Sequence, residues 1–194
     1  HLTEPVRLQG MVSDGNDQIV VECLAPSFSY RDGCYAKGRL SILSPLHTLQ
    51  YEVSADKVDA DGGALSLQAM GSVYDNQLTA TLLWDNHAEA RMSGNVTAKA
   101  TFGHFPDGHQ VTHVDIASSH MNINNSQWTI APCRITYHKE HVDVSGFAIR
   151  HGEQFLTLDG TASANSSDSI AVRLRDIDIE YVLDLVGFDA VDFI

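Results

Sequence analysis

The chain has 194 residues and a formal net charge of −13, with 25 acidic residues against 12 basic ones. Binding a phosphate backbone needs clustered cations that displace counterions, and the closest grouping here is the scattered pair Arg173 and Arg175, so nucleic acid is excluded as a partner and tight docking on an anionic bilayer is disfavoured. Hydrophobic residues make up 43% and charged residues 19%, and the polar remainder is dominated by Ser, Thr, Asn, Asp and Gly, a balance that predicts a folded, all-β chain.

The start, His1-Leu2-Thr3-Glu4-Pro5, has neither a basic n-region nor an apolar h-region, and no stretch approaches the ~18 to 20 apolar residues that span a bilayer. The expectation is a cytosolic chain or a piece cut from something larger. Three cysteines, Cys23, Cys34 and Cys133, cannot all pair, and their spacing fits neither C-x-x-C zinc sites nor a disulfide scaffold.

Along the chain, short runs of alternating apolar and polar residues are separated by turn clusters about every ten positions, the period-2 signature of half-buried antiparallel strands. The predicted reversals are Asp14-Gly15-Asn16-Asp17, Asp61-Gly62-Gly63, Tyr74-Asp75-Asn76, Asp107-Gly108, Asn124-Asn125-Ser126 and Asn165-Ser166-Ser167-Asp168, which supply left-handed or side-chain-bonded residues. The alternation is clearest late. Val142 and Val144 alternate with His141, Asp143 and Ser145; Leu156 and Leu158 alternate with Thr157 and Asp159; Ile170, Val172 and Leu174 alternate with Ala171, Arg173 and Arg175. Ile179, Val182, Leu183 and Val186 follow helical spacing with Gly187 as a stop, which predicts one short helix near the C-terminus.

A small unit, apolar-x-apolar-x-Gly, recurs at Val6–Gly10, Ala90–Gly94, Val142–Gly146 and Leu156–Gly160. Glycine on the inward face of a strand lets it bend or lets another backbone come close, so recurrence predicts a sheet curled along its length. Patterns this short also recur by chance in β-rich chains.

Ten histidines raise the question of a metal, with His104, Asp107, His109 and His113 around one turn and His138 near His141. Ligands must converge within ~2.0 to 2.2 Å of one ion, and odd offsets along a strand point side chains to opposite faces, so these read as solvated turn residues and no metal or other cofactor is expected. The acidic residues are spread singly, with no convergent pair for acid–base work, no G-x-S-x-G, no phosphate-cradling loop and no cysteine beside a base. No catalytic residue is assigned. Trp84-Asp85 matches a propeller dipeptide but occurs once, without a ~40-residue period.

From about Asn122 onward the order of motifs is Trp128-Thr129-Ile130, Phe147-Ala148-Ile149, Gln154-Phe155-Leu156-Thr157-Leu158-Asp159-Gly160-Thr161-Ala162-Ser163, Asp168-Ser169-Ile170-Ala171-Val172-Arg173-Leu174, then the helical spacing. This succession resembles the TamB family (translocation and assembly module, AsmA-like) of Bacteroidetes type. Two details differ: Gln154 precedes Phe155, and Gly146 stands where an asparagine is usual before the aromatic strand. The resemblance is stronger over 121–194 and rests on strand–turn rhythm alone over 1–120.

What the resemblance implies is a single β-rich segment, 1–194, of a longer protein anchored in the inner membrane of a Gram-negative bacterium and crossing the periplasm. Phe193-Ile194 would enter the next strand. The implied fold is an elongated, strongly curved antiparallel sheet forming an open, apolar trough, a β-taco. The implied role is non-catalytic, in outer-membrane biogenesis through phospholipid transport or protein assembly, with acyl chains or nascent outer-membrane strands as clients and a BamA/TamA-type barrel as partner. The candidate groove lining is Val142, Val144, Leu156, Leu158, Ile170, Val172 and Leu174. Two other classes share features: a β-sandwich surface domain binding carbohydrate or protein, which needs aromatics gathered at a rim, and a β-helical polysaccharide enzyme, which needs convergent carboxylates.

Overall fold

Alternation with a two-residue period forces each strand to segregate its side chains onto two faces, and pairing directly opposite residues then carries that segregation from strand to strand. The computed structural model describes residues 1–13, 18–45, 47–59 and 62–177. Within them the first half comprises β1 (Arg7–Ser13), β2 (Gln18–Tyr30), β3 (Gly33–Leu43), β4 (Leu49–Val58), β5 (Ala64–Tyr74), β6 (Gln77–Asp85) and β7 (Ser93–His104). The second half comprises β8 (Gln110–Ile116), β9 (Ser119–Ile123), β10 (Ser126–Ile130), β11 (Cys133–His138), β12 (His141–His151), β13 (Gln154–Ala162) and β14 (Ile170–Arg175). All fourteen belong to one antiparallel sheet, and there is no helix among the described residues. The predicted helix at Ile179–Gly187 and the strand expected at Phe193-Ile194 lie outside the described residues.

The connectivity is an uninterrupted up-and-down meander. β8 and β9 are two halves of one line broken at Ala117-Ser118, and β10 and β11 are two halves of its partner broken at Ala131-Pro132. The register is the same on both sides of the break: Cys133 faces Ile116, and Ile130 faces Ser119. β12 in turn pairs with both halves, Val144 with Ile135 and Ile149 with Ile130. Proline removes one ladder donor at this level, while Ala117 N–H to Thr97 O (2.9 Å) and Ala131 N–H to Ala148 O (2.8 Å) keep the lines tied.

Tight turns set each register. Asp75-Asn76 (φ 45° and 57°) and Asn124-Asn125 (φ 50° and 64°) are consecutive left-handed pairs, the conformation whose twist matches the flanking strands. Asx chemistry in the sequence marked both. The turn at Lys139 (φ 48°) and Glu140 uses residues that no turn signal marked.

Across the first seven strands a row of opposed residues runs Leu8, Cys23, Leu40, Val53, Ala69, Leu82, Val96. The next row, on the other face, runs Gln9, Glu22, Ser41, Glu52, Met70, Thr81, Thr97. The same split continues beyond β7, with Ala100, Val114, Ile135, Val144, Gly160 and Ile170 in one line on the apolar face.

Two lines of irregularity cross the sheet. At the first, Lys37 (φ 54°) bulges where the β3–β4 register shifts between Ala36 and Arg39, with Pro26 opposite on β2. Beyond it Phe28 and Tyr35 stack at 5.1 Å, and Tyr35 is level with Lys57 and Leu65 on the apolar side. At the second, Gly146 (φ 74°) bulges in β12 beside the breaks at 117–118 and 131–132. Bulges bend strands and increase twist, so each line is a crease. The four apolar-x-apolar-x-Gly units do not act as one repeated device: Gly146 is a bulge, Gly160 (φ 130°) sits against the backbone of Ser169, Gly94 lies under an indole, and Gly10 is ordinary strand.

No large side chain is fully buried among the described residues. The densest packing is Met121, Trp128 and Ile130, with Trp84, Val96, Ile116, Ile123, Phe147, Ile149 and Ile177 against them. Gly94 is what lets Trp84 lie there, since a Cβ at this position would stand 2.6 Å from the indole Cζ2 and 2.7 Å from Met121 Cβ. Gly94→Ala is expected to lower stability by about 1 to 3 kcal/mol through overpacking. Gly103→Ala, whose nearest neighbour would be Val111 Cγ1 at 3.8 Å, should change it by less than about 0.5 kcal/mol. Thermal melting of the two variants checks this, and equal losses would remove the indole contact as the cause.

Candidate functional site

The seven residues singled out by alternation come together on one face. Val142 is opposite Ala162, Val144 is opposite Gly160 and through it Ile170, Leu158 lies between Phe147 and Val172, and Leu156 lies between Ile149 and Leu174. Their neighbours Asp143, Asp159 and Arg173 fall in rows on the other face, opposite Thr161, Ala171 and Thr157. The lining is open at its edge: Val172 is 54% exposed and Leu174 38%. Far across the sheet, Leu8 at 69%, Leu82 at 46% and Phe102 at 47% show the same face bare, although Val96 and Ile116 between them pack on the central cluster.

That cluster is the part sequence reading missed. Trp84 and Trp128 are 44 positions apart, yet both belong to the packing around Met121 and Ile130 on the apolar face. The signal for it in the sequence is the alternation Leu78, Ala80, Leu82, Trp84, which puts the indole on the apolar face. Asp85 is on the polar face, bonded to the guanidinium of Arg91 at 2.6 Å. Cys133 also lies on the apolar face, where burial, and then the charge of Asp115, raise its thiol above the usual range.

The polar face carries ladders of charge and hydroxyl. Arg134 grips Asp115 through two bonds, at 2.6 and 2.9 Å, which holds that carboxyl below its ordinary pKa. His113 and His104, adjacent in the sequence argument, are parted by the strands: His113 pairs Nδ1 with Thr136 Oγ1 at 3.1 Å on the polar face, while His104 stands in the apolar-side row opposite Gln110. His109 pairs with Asp107 at 2.7 Å. No group of three or more ligating side chains converges for a metal among the described residues.

His138 Nε2 meets Asp143 Oδ2 at 3.0 Å, Thr161 Oγ1 donates to Asp143 Oδ1 at 2.6 Å, and the His138 and His141 rings stack at 5.2 Å. The carboxylate therefore sits between imidazole and hydroxyl. A nucleophile needs the base in that middle place, so this chain of contacts orders the face without activating Thr161.

Two hollows indent the sheet. One of about 610 Å³ opens on the polar face and is lined by Ser54, Asp56, Gln68, Asn95, Asn122 and Gln127 among others, its carboxylates held by Lys37 (2.7 Å to Asp56) and Arg91. The other, of about 410 Å³, lies at hairpin tips on the apolar side.

No family model, curated protein or solved structure matches the chain. The functional reading therefore rests on the two faces of the sheet and on the order of strand motifs.

The Asp143 carboxyl is held below its ordinary value first by the Thr161 hydroxyl and then by His138, against desolvation. A lowered carboxyl pKa stabilises the fold above the unfolded value and loses that contribution as pH falls through the folded one. With Asp143 39% exposed, solvent screening keeps the contribution under about 1 kcal/mol. Thr161→Val should move the Asp143 midpoint up toward the usual carboxylate range in a carboxyl-carbon NMR titration. An unmoved midpoint would show that the hydroxyl is not the cause.

Proposed function

We propose that this chain is a non-catalytic segment of a TamB-like, AsmA-like envelope protein that carries apolar cargo across the periplasm of a Gram-negative bacterium. In this reading the sheet curls into an open trough about its apolar face, as part of a parent anchored in the inner membrane. It serves outer-membrane biogenesis, passing phospholipid acyl chains or nascent outer-membrane strands toward a BamA/TamA-type barrel.

The observation that supports this most is a face of aligned apolar residues running through successive strands of one sheet, with much of it exposed. Monomeric soluble domains rarely leave large contiguous apolar patches bare, and where they do the patch marks a binding surface. Each methylene moved from water onto such a wall gains on the order of 0.8 kcal/mol, so a continuous wall lowers the barrier to carrying a lipid through an aqueous compartment. A flat exposed sheet would also invite aggregation; the two creases and the charge ladders on the other face limit that hazard.

The rival reading, a sandwich-type surface domain, requires two packed layers. The described strands form one sheet, and this favours the conduit.

Photo-crosslinking side chains at Val144, Leu158 and Val172 in the full-length parent are expected to trap phospholipid, and those at Asp143, Asp159 and Arg173 are not. Leu158→Asp should leave a folded protein with impaired transport, because a charge on an open wall stays hydrated. In a dry closed core it would cost several kcal/mol and unfold the chain. Equal adducts on both faces, or a Leu158→Asp variant that does not fold, would reject the conduit.

A further inference from the structure

At one end of the apolar face the hairpin tips enclose the hollow of about 410 Å³, lined by Gly108, His109, Gln110, Thr112, Tyr137 and Lys139. It is continuous with the apolar wall. Thr112 stands opposite Phe102 on one side and Tyr137 on the other, and Tyr137 is opposite Val142. Two residues further along the same strands the row is Ala100, Val114, Ile135, Val144. Moving outward, the surface changes from aliphatic, to a step bearing the Thr112 and Tyr137 hydroxyls, to a cup holding an amide, an imidazole and an ammonium.

The position of the cation matters. Arg7, Arg39, Lys99, Arg134 and Arg150 occupy polar-face rows, as their pairing with Leu24, Ser54, Asp115 and Phe155 shows, while Lys57 shares the apolar side but stands on β4, level with Tyr35 and Leu65 and away from this end. Lys139 escapes that face because it sits in a left-handed turn (φ 48°) beyond the strand, where it borders the hollow on the apolar side. His109 is held by Asp107, which accepts its backbone N–H (3.1 Å) and lies 2.7 Å from Nδ1. Asp107 and Glu140 bring carboxylates to the same tips, so the cup joins a cation to nearby anions instead of presenting net positive charge.

We propose that this hollow is a headgroup subsite for a zwitterionic aminophospholipid, whose phosphate meets Lys139 and His109 and whose ammonium meets Asp107, while its acyl chains lie along Val114, Ile135 and Val144. The assignment rests on the conduit reading and deepens it. An amphiphile needs an apolar wall ending in polar partners of both signs, and this end of the sheet provides that sequence of surfaces. A purely anionic headgroup meets the same ammonium but brings no cation to the Asp107 carboxylate beside it.

The test is an amide NMR titration of the full chain with dihexanoylphosphatidylethanolamine, dihexanoylphosphatidylglycerol, free phosphoethanolamine and octyl glucoside. The ethanolamine lipid is expected to shift Gly108 and Lys139 together with Val114 and Ile135, and to bind more tightly than the glycerol lipid. Lys139→Gln should weaken it by about three- to tenfold, the range of one partly screened charge contact. Octyl glucoside, which has no phosphate, should bind the same wall with unchanged affinity in that variant, and an unchanged melting temperature separates the effect from unfolding. Phospholipid binding indifferent to Lys139, equal binding of the two lipids, or free phosphoethanolamine binding as well as the lipid would overturn the subsite and leave the conduit reading standing. Failure of both octyl glucoside and the lipids to perturb any apolar-face residue would instead remove the conduit reading and the subsite with it.

Discussion

The structure depends on one constraint: in an antiparallel pair, residues directly opposite share a face, so a period-2 pattern in register is copied from strand to strand. Here the copying runs from Leu8 on β1 to Val172 on β14. A one-residue slip in any hairpin would send the apolar set of every later strand to the polar face, and so each turn carries more than local weight. The left-handed pairs Asp75-Asn76 and Asn124-Asn125 are strong register pins for that reason.

Copying without interruption would produce a flat, sticky sheet. The bulge at Lys37 and the breaks and bulge at 117–118, 131–132 and Gly146 interrupt the regular ladder while the apolar rows stay in step on either side. The first crease brings the stacked Phe28 and Tyr35 to the apolar side. Beside the second lies the only dense packing among the described residues, around Trp128. Irregular ladder and dense packing thus occur together at the second line, where the Gly146 bulge and the strand breaks lie beside the cluster.

The other face is organised differently. Its bonds are short, exposed and electrostatic: Arg134 with Asp115, Arg91 with Asp85, Lys37 with Asp56. Such pairs add little stability each in water, but Arg134 and Asp115 are directly opposite across β11 and β8, where unlike charges favour the native register and penalise shifted ones. With a net charge of −13 the polar face also keeps the molecule apart from its copies. The chemistry of the molecule is accordingly a separation, with greasy contacts on one side and ionic ones on the other.

Alternation, turn chemistry and composition were enough to identify an all-β, antiparallel chain and to place Val142, Val144, Leu156, Leu158, Ile170, Val172 and Leu174 on a common face, since these depend on neighbours within a hairpin. They also located the reversals at Gly62, Asp75-Asn76, Asp107-Gly108, Asn124-Asn125 and 165–168, but not those at Arg31, Lys139 or Gly152; the reversal expected at 14–17 lies outside the described residues. The sequence did not reveal that Trp84 and Trp128 would share a cluster, because that contact depends on Gly94 and on a register summed over several hairpins. Nor did it reveal that Lys139 leaves the polar rows for the apolar end, or that apparently equal glycine units would serve as bulge, close approach and plain strand. Those outcomes are decided by how a whole strand fits two partners at once, as at the Gly146 bulge, and no local pattern carries that information.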